Sequence, residues 1–160
     1  MNPTHLHLIL NHIPVLGTAF GLALLLFSFV RKSDELMKTA LGVFVIVALL
    51  AVPAYLTGES AEDGVKVLPG VVKSIIEQHE EAATVAFTGV IVLGVAGLAG
   101  LALFRRGRTF PVWFGPLMIA ASLIVSGLMG WTANLGGRIR HTEIRGDTSA
   151  TQATESEEHR

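Results

Sequence analysis

The sequence predicts an all-α protein, an up-down-up-down four-helix transmembrane bundle. Three observations carry that prediction. Four apolar runs of roughly 18–24 residues contain no charge, the length that a bilayer core of about 30 Å asks of a helix. Hydrophobic residues make up 51% of the 160 and charged residues 16%, too little charge to cover a soluble domain of this size. The turns after the first and third runs are short, so consecutive helices must be antiparallel neighbours.

The first span is read as residues 13–30. Met1 to His12 holds no Lys or Arg and no small-residue cleavage site follows the run, so a span is expected rather than a signal peptide. The turn Arg31-Lys32-Ser33-Asp34-Glu35 leads to the second span, residues 39–56. Residues 63–76 alternate Val and Ile with polar residues around a Pro69-Gly70 turn signal, and a short amphipathic segment capping the bundle is expected there. The third span, residues 82–104, is entered through Glu77-Gln78-His79-Glu80-Glu81, where acidic residues suit the positive end of a helix dipole. Arg105-Arg106-Gly107-Arg108 leads to the fourth span, residues 112–135, with Gly136-Gly137 as the expected helix stop. Residues 1–145 thus form one tetraspan domain. Residues 146–160 are polar, cannot bury a core, and read as a disordered tail.

Charge sets the expected orientation. Six of the 12 basic residues sit in the two short turns (Arg31, Lys32, Lys38, Arg105, Arg106 and Arg108), which marks that side as cytoplasmic and puts both termini outside a bacterial inner membrane. Arg138, Arg140 and Arg145 on the other side weigh against this. Tyr55 and Trp131 at one interface, and Phe110 and Trp113 at the other, fit as aromatic anchors. Gly17-x-x-x-Gly21, Ala96-x-x-x-Gly100 and the ladder Ser122, Ser126, Gly130 predict close helix packing.

Several function classes fall away. The near-balanced charge gives no sign of a nucleic-acid partner, and the absence of cysteine rules out disulfides, iron–sulfur ligation and covalent haem attachment. No ionisable residue lies inside a span, which argues against an ion or proton path through the bundle. No nucleophile arrangement or phosphate loop is present, so an electron-transfer or binding protein is expected rather than a catalyst.

Five of the six histidines gather at the extracytoplasmic end. His12 and His79 occupy matching positions before spans 1 and 3, which lie diagonally in an up-down bundle. Two imidazoles from opposite sides of a bundle mouth suit axial ligation of a haem iron. His141 can fold back from span 4 in place of either, and Arg138 or Arg140 can pair with a propionate. Gly17, Gly21, Gly89 and Gly130 are the expected room for the porphyrin. Haem b with electron transfer ranks first. A copper, zinc or iron site of His12, His79 and His141 with Glu59 or Glu80 is the alternative. A structural subunit of a larger membrane complex, without cofactor, is the third reading. Expected partners are the lipid bilayer, a respiratory or other membrane complex, or a quinol whose protons a histidine and a carboxylate would accept.

The stretch Asn11-His12-Ile13-Pro14-Val15, the Thr57-Gly58-Glu59 after span 2, His79, and the closing Gly136-Gly137-x-x-x-His141 together resemble an uncharacterised bacterial four-span membrane-protein family. Its members open with His-Phe-Pro or His-Ile-Pro and close with a glycine pair followed by a histidine. The resemblance covers residues 5 to about 145. It implies the tetraspan fold and brings an association with b-type haem or respiratory electron transfer as an expectation. Members carry Asp after the Thr-Gly, where this chain has Glu59 and Glu62.

Overall fold

A computed structural model describes residues 3–105 and 108–145. The expected tail, residues 146–160, lies outside the described residues. Among the described residues six α-helices follow in order: α1 (Pro3–Leu10), α2 (His12–Arg31), α3 (Asp34–Leu56), α4 (Gly58–Val65), α5 (Lys73–Leu103) and α6 (Phe114–Arg140), then a 3-10 turn at Thr142–Ile144. No strand occurs among the described residues, and the all-α four-helix bundle of the sequence reading is present.

Local chemistry explains the tight α2–α3 hairpin. Lys32 adopts a left-handed conformation (φ 49°) and its N–H donates to Phe29 O, while Ser33 N–H donates to Ser28 O at 3.0 Å. Ser33 then caps α3, its hydroxyl accepting from Leu36 N–H at 3.3 Å, with Asp34 and Glu35 in the first turn at the positive end of the dipole.

Glycines show how the four long helices meet. An added Cβ at Gly17 would lie 2.5 Å from Val47 and one at Gly21 2.6 Å from Phe44, so α2 and α3 pack antiparallel. Gly97 faces the Leu41 carbonyl at 2.9 Å while Gly94 faces Ala48, which sets α5 antiparallel to α3. Gly89 against Val125 and Gly100 against Phe114 do the same for α5 and α6. Contacts between α2 and α6 close the ring, leaving α2 and α5 diagonal. Such close backbone approach is the main source of helix packing energy where lipid supplies no hydrophobic drive.

Buried polar side chains look inward to their own helices. Thr18 donates to Pro14 O at 2.5 Å, Ser28 to Leu25 O at 2.7 Å, and Ser122 to Ile119 O at 3.0 Å. The outer surface is the reverse of a soluble protein's. Leu16, Phe20, Phe27, Val92, Leu98, Leu123 and Ile124 are each more than half exposed at mid-helix. Among the described residues four helices are long and apolar enough to cross a membrane, Pro3–Arg31, Asp34–Val65, Lys73–Leu103 and Phe114–Arg140, and the protein is a multi-pass membrane protein.

Several boundaries differ from those read in the sequence. The first span is preceded by α1, with Asn11 itself in the right-handed helical region and its N–H bonded to His7 O at 2.9 Å. The segment expected at 63–76 is divided. Its start belongs to α4, and Ile75 and Ile76 are buried in the first turn of α5. Glu77, Glu80 and Glu81 are therefore beyond the first turn of α5, and the dipole account of them does not hold. Gly136-Gly137 does not stop α6, which continues to Arg140. Phe110 is no exposed anchor but packs with Phe104 and Phe114, at ring centroid distances of 4.9 and 5.4 Å, whereas Trp113 and Trp131 are exposed. Of the predicted ladder, Ser122 is buried but Gly130 faces open space.

Candidate functional site

The end of the bundle that carries the histidines is built from α1, α4, the loop 66–72, the start of α5 and the end of α6. α1 lies against α4 and the end of α3. Thr4 reaches the Ala61 carbonyl at 3.5 Å, and the bare Cα of Gly64 leaves room for its side chain.

His7 is the residue α1 delivers to this end. Its Nδ1 lies 2.9 Å from the Ala54 carbonyl and 3.3 Å from Thr57 Oγ1, and its ring edge rests on Gly58. A carbonyl can only accept, so Nδ1 carries a proton, and the tautomer this selects has its lone pair at Nε2. His79 is built the same way on α5. Its Nδ1 donates to the Thr132 carbonyl at 3.0 Å, and the ring lies over Gly136, where a Cβ would come within 3.1 Å of Cε1. Both rings sit at the histidine end of the bundle, His7 on the end of α3 and His79 on the end of α6. Each has Nδ1 anchored to a backbone carbonyl. An Nδ1–H bonded to a carbonyl is the outer-shell contact that fixes a metal-ligating histidine's tautomer.

The other predicted residues lie elsewhere. His12 is exposed, with Nδ1 turned back to Leu8 O at 2.7 Å, and borders a shallow apolar surface with Ile13, Leu16 and Phe20. His141 is exposed and pairs with Glu143 at 2.8 Å, so it does not fold back toward His79. Glu143's own backbone N–H, and then the His141 ring, hold its carboxyl below the usual carboxylate value. Glu80 is exposed, with Glu62, Glu59 and Glu77 as its carboxylate neighbours. Arg140 is exposed. Arg138 is half-buried, with its Nε enclosed and unpaired. Among the described residues no group of three or more His, Asp or Glu is placed to hold a metal ion, so the site drawn from His12, His79, His141, Glu59 and Glu80 is not assembled.

Among the described residues, the room expected for a porphyrin at the glycines is taken up or faces outward. Gly17, Gly21 and Gly89 are filled by Val47, Phe44 and Val125, and Gly130 points away from the bundle. The helices close on one another because the facing side chains occupy the volume the glycines release.

His7 escaped the sequence reading because it precedes the apolar run. A seam of period 3.5 would have found it. The buried residues Pro14, Thr18, Gly21, Leu25 and Ser28 extend backwards through Asn11 and His7 to Thr4 at the same alternating spacing, and His12 falls off that stripe. On α5 the same spacing links Ile76, His79, Ala83, Ala86, Val90 and Leu93. On α6 it links Met118, Ser122, Val125 and Met129 to Thr132 and Gly136, the seat of His79. Comparison with family models, with curated proteins and with solved structures gives no match for this chain.

Proposed function

We propose that this membrane protein holds a metal centre at the histidine end of its bundle through Nε2 of His7 and Nε2 of His79, and that the centre is a b-type haem used in electron transfer. The observation that carries this reading is the matched anchoring of the two rings, each with Nδ1 on a backbone carbonyl at the same end of the bundle. Two neutral imidazoles are the complete protein donor set of a bis-histidine haem, whereas a bare copper, zinc or iron ion ordinarily takes three or four protein ligands. No third ligand gathers with them among the described residues, which favours haem over the non-haem reading. The glycine seams are filled, which favours the mouth, above the packed core, as the seat of the group. Arg138, with an enclosed and unpaired Nε, is the side chain suited to a propionate.

The haem iron supplies the one-electron chemistry. The chain orients the two rings, fixes their tautomer and limits water from the packed side. The resemblance to the bacterial four-span family accords with this assignment. The basic turns at the opposite end support an extracytoplasmic mouth in a bacterial inner membrane, with a respiratory complex or a quinol as the electron partner.

The test is an absorption spectrum of detergent-purified protein expressed with haem supply, oxidised and then dithionite-reduced, with metal analysis of the same sample. Sharp reduced b-type bands, lost in His7→Ala and in His79→Ala but kept in His12→Ala, are expected. Stoichiometric metal without a Soret band would replace haem with a non-haem ion. Neither haem nor metal would leave a structural subunit.

A further inference from the structure

Arg145 makes three hydrogen bonds, all to backbone carbonyls. Its Nε donates to Arg138 O at 2.7 Å, one terminal nitrogen to Ile139 O at 2.7 Å, and the other to Gly70 O at 2.6 Å. The first two acceptors belong to the last turn of α6, whose carbonyls have no partner within the helix and form its negative end. The third lies in the loop 66–72, seventy-five residues away in sequence. One guanidinium thus caps α6 and ties a loop to it.

Neighbouring contacts align with the tie. Gly70 has φ +76°, which turns the loop back, and it faces the methyl of Thr142. Ile144 packs beside Gly137, the residue after the Gly136 that seats His79. Ile139 follows Thr132 and Gly136 on the same face of α6, next in the seam that holds the His79 ring. The tie therefore sits beside the His79 seat.

The geometry points to Arg145 as a latch that holds the loop 66–72 to the end of α6 and thereby limits access to the His79 ring. The fork geometry of Arg is what the latch uses, because a lysine ammonium cannot span three carbonyls set around one plane. What the latch guards rests on the role given to His79, but the latch itself is tested without any cofactor.

The experiment uses the full chain in lipid nanodiscs, as wild type, Arg145→Gln and Arg145→Lys. Amide hydrogen exchange is followed in 66–72 and in α3. Diethyl pyrocarbonate acylation of His79 is followed by mass spectrometry, with exposed His12 as the internal reference. Both variants are expected to speed exchange in 66–72 and His79 acylation by about tenfold, the order of a lost charged hydrogen bond, with α3 and His12 unchanged. Unchanged exchange in 66–72 would overturn the latch. Faster loop exchange with an unchanged His79 rate would overturn its guarding role. Should Arg145→Gln lose α3 protection through misfolding, the charge-keeping Arg145→Lys decides. Failure of the haem assignment would appear in the spectrum and leave these rates as they are.

Discussion

The ring of His79 rests on the bare Cα of Gly136, with an added Cβ there only 3.1 Å from Cε1 and 3.4 Å from Nδ1. Alanine at this position gains about 1 kcal/mol of helix propensity, which offsets a shift of a few tenths of an ångström by the ring. Gly136→Ala is therefore expected to be near neutral in stability. Gly136→Val has no such room and should push Nδ1 off the Thr132 carbonyl. Its signature is faster diethyl pyrocarbonate acylation of His79 and weakened ligand retention, and an unaltered His79 would show that the seat is unimportant.

Gly97 and Gly127 should respond in opposite directions to the same substitution. A Cβ on Gly97 meets the Leu41 carbonyl at 2.9 Å, and backbone on a packed helix cannot move aside. Gly97→Ala is expected to lose about 1–3 kcal/mol, as over-packed cores do. Gly127 faces open space, so Gly127→Ala should gain up to about 1 kcal/mol from helix propensity. Thermal unfolding in a single detergent measures both.

Gly70 has a backbone conformation that L side chains rarely adopt. Gly70→Ala is expected to cost about 1–2 kcal/mol through local strain alone. Hydrogen exchange in the loop should rise while exchange in α3 stays constant, which separates a local effect from global unfolding.

The exposed His141–Glu143 pair predicts a small acid effect. Glu143 titrates below its unfolded value, so its contribution is present above that value and disappears as pH falls through the folded one. In His141→Ala the carboxyl should move part of the way back up. The backbone N–H, the larger cause, remains. Carboxyl chemical shifts against pH check this, and bound cofactor should be unaffected.

The bundle was legible because its signals are long: charge-free runs and basic turns survive any error at their ends. The boundaries were less so. Gly136-Gly137 has the composition of a stop signal, yet the helix continues to Arg140, with the space at Gly136 taken by a ring from α5. His12 was chosen over His7 by nearness to the apolar run, when the deciding quantity was position on the buried seam. The small residues were read correctly as packing residues but wrongly also as empty volume, since a sequence does not say what fills the space a glycine leaves.

The long helices carry one more consequence. Pro3–Arg31 holds 29 residues and Lys73–Leu103 holds 31, which at about 1.5 Å per residue makes rods of about 43 and 46 Å. A hydrocarbon layer of about 30 Å leaves more than 10 Å of each in the headgroup zone. His7 and His79 both lie near the ends of these rods, so bilayer thickness sets how wet they are. Thicker membranes would draw both rings toward the acyl chains, and thinner ones would lift them into water. The host lipid would thus tune the polarity around the two imidazoles with no change in sequence.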